Sequence, residues 1–325
     1  MKELAPGDAA LIEEFIAAVR HFTGVPVETI WCIIPGMLYA TFPLAALIEL
    51  FAPVVCAVWL TRRTGKAGWL LVGVGVLTFI ASQVVHLPLN WALGQIGVLP
   101  QDKTRILQIA VVAGLTAGLC EETARVVGYW LLKRRARTWK AALTLGVGHG
   151  GIESIIVGGV VLLTFVNMAV LRNQDLATLG LAGDQLALAQ QQMAGYWGQP
   201  WPIPLAGAVE RLTSMVMHLS LAVLVLQAFT RRNVLYYVGA VVWHAAIDAL
   251  AVILLANEWG LWAIEGVLAL VALVNLGLVR AFRRSPHDVE AEPVPVPLPA
   301  PPLEPKPRDE TNALREQIER SRFEA

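Results

Sequence analysis

Seven apolar runs, each about 20 residues or longer, dominate this chain, and a run of that length crosses a bilayer core about 30 Å thick as a helix. In hydrocarbon every backbone N–H and C=O must be bonded within its own segment, so such runs read as bundled helices. They fall at 37–60, 67–93, 106–132, 139–171, 205–229, 234–256 and 260–282. The composition agrees, with 56% hydrophobic residues, 15% charged residues and a formal net charge of zero. The expected fold is all-α: a polytopic integral membrane helix bundle of about seven transmembrane helices, multi-pass in the cell membrane.

Basic residues cluster after alternate runs: Arg62, Arg63 and Lys66; Lys133, Arg134, Arg135, Arg137 and Lys140; Arg231 and Arg232; Arg280, Arg283 and Arg284. Cytoplasmic loops carry such an excess, so the N-terminus is expected outside and the C-terminus in the cytoplasm. These clusters make no polyanion-binding patch, and no nucleic-acid partner is expected. Residues 1–28 lack a basic segment before the first apolar run, which argues against a cleavable signal. Three cysteines, Cys32, Cys56 and Cys120, show no metal-ligand spacing and read as inert buried thiols.

Three divisions are expected: an N-terminal extension at 1–36, the helix bundle at 37–282, and a proline-rich, disordered cytoplasmic tail at 283–325. Within the tail, Arg308 to Arg322 reads as a short charged helix. The segment 29–43, with Pro35 and Pro43, is open between a re-entrant segment, an interfacial helix and an extension of the first span. The external loop 172–204 carries a helix-like stretch, Thr178 to Met193, then Trp197 and Trp201 as interfacial anchors, which suits a cap or lid.

Charged and imidazole groups inside apolar helices are costly and mark a site by default. Here they are Glu121, Glu122 and Arg125; His149 and Glu153; His218; and His244 with Asp248. At about 1.5 Å per residue, Glu121, His149, His218 and His244 each lie roughly 15 to 16 Å from the basic end of their runs. Groups at one level on four helices point to one polar cavity. The spacing i, i+4 pairs Glu121 with Arg125, His149 with Glu153, and His244 with Asp248. Glu210, Ser214 and His218 share a further face, and Glu210 with Arg211 reads as a supporting ion pair. Glu49 and Glu265 are isolated intramembrane carboxylates.

A carboxylate beside a desolvated histidine can act as general base towards water. Three histidines with carboxylate partners, His149, His218 and His244, equally match a catalytic zinc site with one open position. Spacing leaves both open, so no cofactor follows with certainty; zinc is the metal if one is bound. No His-Glu-x-x-His or Gly-x-Ser-x-Gly run is present, which excludes two soluble hydrolase templates. The glycines at 146, 148, 150 and 151 offer either close helix packing or room for an extended substrate. A proton- or ion-coupled membrane transporter is the alternative class, since buried Glu, His and Asp also build proton relays. Matching broken helices of an inverted repeat are not evident.

The motifs Glu121-Glu122-x-x-Arg125, His149-x-x-x-Glu153, Glu210-Arg211 before His218, His244-x-x-x-Asp248, and Ser82-Gln83-Val84-Val85 with Pro88 resemble the YhfC family of intramembrane proteases. That family is similar in pattern to PrsW and to the prenyl-processing CPBP proteases. The resemblance spans roughly 40–280. It implies an intramembrane endopeptidase, glutamic-type or metalloprotease, acting on a membrane protein or peptide in the lipid bilayer. By the same resemblance Glu121 or Glu122 activates water, His149 is its partner, and His218, His244 and Asp248 bind metal or stabilise the oxyanion. Arg125, Glu153, Glu210 and Arg211 then support the site.

Overall fold

The computed structural model describes residues 27–100, 102–283 and 308–323. Nine α-helices follow one another among these residues: α1 Val27–Thr64, α2 Gly68–Gln95, α3 Ile106–Leu132, α4 Trp139–Leu171, α5 Gly183–Gly198, α6 Ile203–Thr230, α7 Leu235–Ala256, α8 Leu261–Ala281 and α9 Arg308–Phe323. The described residues contain no strand. Local chemistry fixes several ends. Thr138 precedes α4 and its hydroxyl accepts the Ala141 N–H at 3.2 Å, filling one of the unpaired donors of a helix start. Pro204 lies in the first turn of α6, where a missing N–H leaves no bond unmade.

Six continuous helical stretches are long and apolar enough to cross a membrane, and the first, Gly36–Gln95, contains α1 from Gly36 onward and all of α2. The 3-10 turn Gly65–Ala67 separates them. A Cβ placed on Gly68 would meet Thr61 Cα at 2.8 Å, whereas seven residues of continuous helix span about 10 Å. The chain therefore doubles back, and Gly65 at φ +80° supplies the left-handed residue that the reversal needs. Seven long helices coincide with the seven apolar runs. Helix α1 starts at Val27 and passes through Pro35 and Pro43, so 29–43 continues the first long helix. Residues 1–26 and the linker 284–307, for which disorder was expected, lie outside the described residues.

The surface of the bundle is apolar. Trp69, Leu77, Val84, Trp91 and Leu163 are 62% to 69% exposed, a surface that suits lipid rather than water. The interior combines large apolar side chains such as Leu38, Leu71, Leu145 and Leu226 with small and polar residues. Helices α2 and α4 cross at glycines: a Cβ on Gly148 would collide with the Val72 carbonyl. Several buried polar groups find partners across helices, which this medium favours. Tyr129 Oη donates to the Ala222 carbonyl at 2.8 Å, and Asn275 Oδ1 accepts from Ser220 at 2.6 Å and from Trp243 at 2.9 Å.

The helix α5 lies in the loop expected to carry a helix at Thr178 to Met193, but it starts later, at Gly183, and runs to Gly198, so that Trp197 falls inside it. Its end is latched to α1, where Tyr196 stacks on Phe42 at 4.4 Å and Trp197 on Tyr39 at 4.8 Å. Arg172 lies 4.5 Å over the Trp197 ring. Each aromatic pair adds about 0.5–1.5 kcal/mol beyond its buried area. The helix α9 belongs to a second unit, Val289–Ala325, and matches the charged helix expected at 308–322; its side chains from Asn312 to Arg322 are exposed.

Candidate active site

Four helices bring the expected residues together. Helix α3 carries Glu121, Glu122 and Arg125; α4 carries His149 and Glu153; α6 carries Glu210, Arg211 and His218; α7 carries His244 and Asp248. The rings of His149 and His218 lie 5.3 Å apart, and those of His218 and His244 5.9 Å apart. Glycine permits this closeness. A Cβ on Gly150 would lie 2.6 Å from His218 Cδ2, so α6 fills the space beside α4 that an extended substrate would have needed.

At the centre, Glu121 Oε2 lies 3.0 Å from His149 Nε2. The other nitrogen of this imidazole, Nδ1, is 2.9 Å from Thr78 Oγ1, and the Thr78 hydroxyl donates to the Gly75 carbonyl at 2.7 Å. With its one proton so used, Thr78 accepts from His149 Nδ1–H. His149 Nε2 and Glu121 Oε2 are then left to share a proton or a cation. Gln83 Nε2 donates to Glu121 Oε1 at 3.2 Å. Neither Thr78 nor Gln83 had been given a role from the sequence. Gln83 stood in a quoted motif, and an amide deep in an apolar run was the available signal.

Several pairings differ from the i, i+4 expectation. Arg125 bonds Glu122 and stands 3.8 Å from Glu121. Glu153 bonds not His149 but His218 Nε2–H, at 2.6 Å, while Arg211 donates to Glu153 at 2.6 Å and also bonds Glu210. Arg125 further donates to His218 Nδ1 at 2.6 Å. His244 Nδ1–H donates to Glu122 at 2.8 Å, and its Nε2 lies 3.4 Å from Asp248 and 3.9 Å from Glu121. His218 and His244 thus take their nearest carboxylates from neighbouring helices, whereas Arg125 keeps Glu122, one turn back on its own helix.

Glu121, Glu153, Glu210, Arg211, His218, His244 and Asp248 line a cavity of about 120 Å³ between α6, α7 and α8. A metal ion fits the chemistry of the groups at and behind its wall. Glu121, His149 and His218 offer ligand atoms all within 4.8 Å of one another, and two imidazoles with a carboxylate are a set used by hydrolytic zinc sites. Thr78, Gln83 and Glu153 stand behind them as orienting partners. His218 can offer a lone pair only after one ring nitrogen leaves Arg125 or Glu153. His244, the third imidazole of the expected metal set, lies outside this group and bonds Glu122 instead.

Residues 48–277 match the family described as YhfC intramembrane metalloprotease. The chain is 25% identical over 243 residues to "Uncharacterized membrane protein YhfC" of Bacillus subtilis (strain 168), covering 72% of this chain and 92% of that protein. No solved structure matches the chain. The match covers the helices from α1 to α8 and all the residues of the polar cluster, and the chain belongs to the YhfC intramembrane metalloprotease family.

Proposed function

We propose that this multi-pass membrane protein is an endopeptidase that hydrolyses a peptide bond of a membrane-embedded protein or peptide, with Glu121 as its central group. The supporting observation is the Glu121–His149 couple, 3.0 Å apart, set at the wall of a polar cavity inside an apolar bundle. Glu121 takes a proton from water, and the hydroxide so formed attacks the peptide carbonyl. Charge develops on the carbonyl oxygen, where His244, acting as an imidazolium with its Nδ1–H on Glu122, donates its second proton from Nε2–H. The proton held between Glu121 and His149 then passes to the leaving amine as the C–N bond breaks. Zinc, held by Glu121, His149 and His218, would supply Lewis-acid polarisation and a more acidic water. The basic clusters support an orientation with the N-terminus outside and the C-terminus in the cytoplasm.

The test compares wild type with Glu121→Gln, His149→Ala and the double variant for truncated membrane peptides. Each single change should lower cleavage about 10²-fold or more, and the double should lose little beyond either. Metal analysis of the same samples separates two roles for Glu121. Metal lost in Glu121→Gln identifies a ligand, and activity lost without change in metal identifies a base. Cleavage undiminished in all three variants rejects the site.

A further inference from the structure

Hydrolysis in hydrocarbon needs water as its second substrate, and the bilayer core excludes water. We propose that the cavity between α6, α7 and α8 is a one-sided water port, feeding Glu121 from the side of the 172–204 loop; this rests on the hydrolytic reading of the site. The cavity volume of about 120 Å³ accommodates several waters at about 30 Å³ each. An ordered water needs about two to four polar partners, and Thr213, Ser214, Glu210, Arg211, Asp248 and Asn275 supply them along the wall.

The wall has a direction. Side-chain exposure falls from 43% at Glu210 and 33% at Asp248, through 23% at Glu153 and 15% at Arg211, to 8% at Glu121 and zero at Glu122. Glu210 stands about 10 Å along α6 from Ile203, next to the loop, and His218 about 12 Å deeper. Beyond His218 the helix turns apolar: Leu221, Ala222, Val223, Val225 and Leu226 are fully buried. Water that enters past Glu210 therefore stops at the catalytic level. By contrast, the groove of about 680 Å³ between α2 and α3, with Leu77, Ala81, Ala124 and Val127 in its wall, is apolar. It supplies a matched control.

The test uses the full chain in liposomes with Cys32, Cys56 and Cys120 replaced by alanine. Single cysteines are placed in the port (Ser214→Cys, and Thr213→Cys as a second reporter), in the groove (Ala124→Cys) and on the lipid face of α8 (Leu273→Cys). The probe is a membrane-impermeant trimethylammonium methanethiosulfonate. A thiolate attacks its sulfenyl sulfur, a mixed disulfide forms and methanesulfinate leaves. Because thiolates form in water, the port cysteines should react at least about 10-fold faster than Ala124→Cys and Leu273→Cys, and only from the side bearing the 172–204 loop. Adding Ala251→Trp, which narrows the cavity, should slow Ser214→Cys by a similar factor. Port thiols no faster than Leu273→Cys in both reporters overturn the proposal, as does labelling from the opposite side. Labelling needs no catalysis, so the two readings fail separately. Reactive port thiols in a protein without cleavage reject the hydrolase, whereas inert thiols in a cleaving protein reject the port alone.

Discussion

Adjacent glutamates on one helix have been given opposite surroundings. Glu121 borders the cavity and holds His149, while Glu122 is fully buried between Arg125 and His244. A substitution at each should therefore fail differently. Glu121→Gln is expected to lose cleavage with little change in melting temperature. Glu122→Ala removes the nearest counter-charge of buried Arg125 and the acceptor of His244, and should destabilise by up to about 3–5 kcal/mol, read as a fall in melting temperature of the purified protein. Equal melting for both variants would contradict the division. The sequence placed Glu121, His149, His218 and His244 at one level because depth along a helix is a simple count of residues. It misassigned Glu153, because the i, i+4 rule reads one helix at a time and Glu153 looks across to His218 and Arg211. Thr78 went unread for a related reason: a threonine in an apolar run is ordinary until the imidazole it faces is known.

At the scale of elements, α4 is the helix on which the site depends. Its glycines admit α2 on one side and α6 on the other, so what could have been substrate room is helix contact. Gly150→Ala would set a methyl group 2.6 Å from His218 Cδ2, whereas Gly159 has nothing within 4 Å. The first change should displace the His218 ring, lower stability by about 1–3 kcal/mol as overpacking does, and reduce cleavage. Gly159→Ala should match or slightly exceed wild type in stability, since alanine favours helix by about 1 kcal/mol. Melting curves and cleavage of both variants decide it, and an unperturbed Gly150→Ala would mean that α4 and α6 cross more loosely. Helix existence was legible from apolar length alone, but the start of α1 was not. Pro35 and Pro43 left 29–43 open among three readings, and the helix carries on through them from Val27, as an extension of the first span.

For the whole molecule, one reversal sets every later side. The turn at Gly65 makes α1 and α2 antiparallel, so the basic clusters after α1, between α3 and α4, between α6 and α7, and after α8 fall on one face of the bundle. Had Gly36–Gln95 stayed one unbroken helix, each later loop would have changed sides and the first cluster would oppose the rest. The positive-inside rule predicts that this common face is cytoplasmic and that the 172–204 loop, with the proposed port beside Glu210, is outside. Single cysteines in a cysteine-free chain test this in intact cells. Arg135→Cys and Asn233→Cys should react with an impermeant maleimide only after the cytoplasmic side is opened, and Gln191→Cys should react before. The reverse pattern would place the cavity mouth in the cytoplasm and invert the whole orientation, while leaving the internal geometry of Glu121 and His149 untouched. A mixed pattern, with Arg135→Cys and Asn233→Cys on different sides, would break the alternation itself, because it would mean that α4 and α6, the two long helices between these positions, do not both cross the membrane.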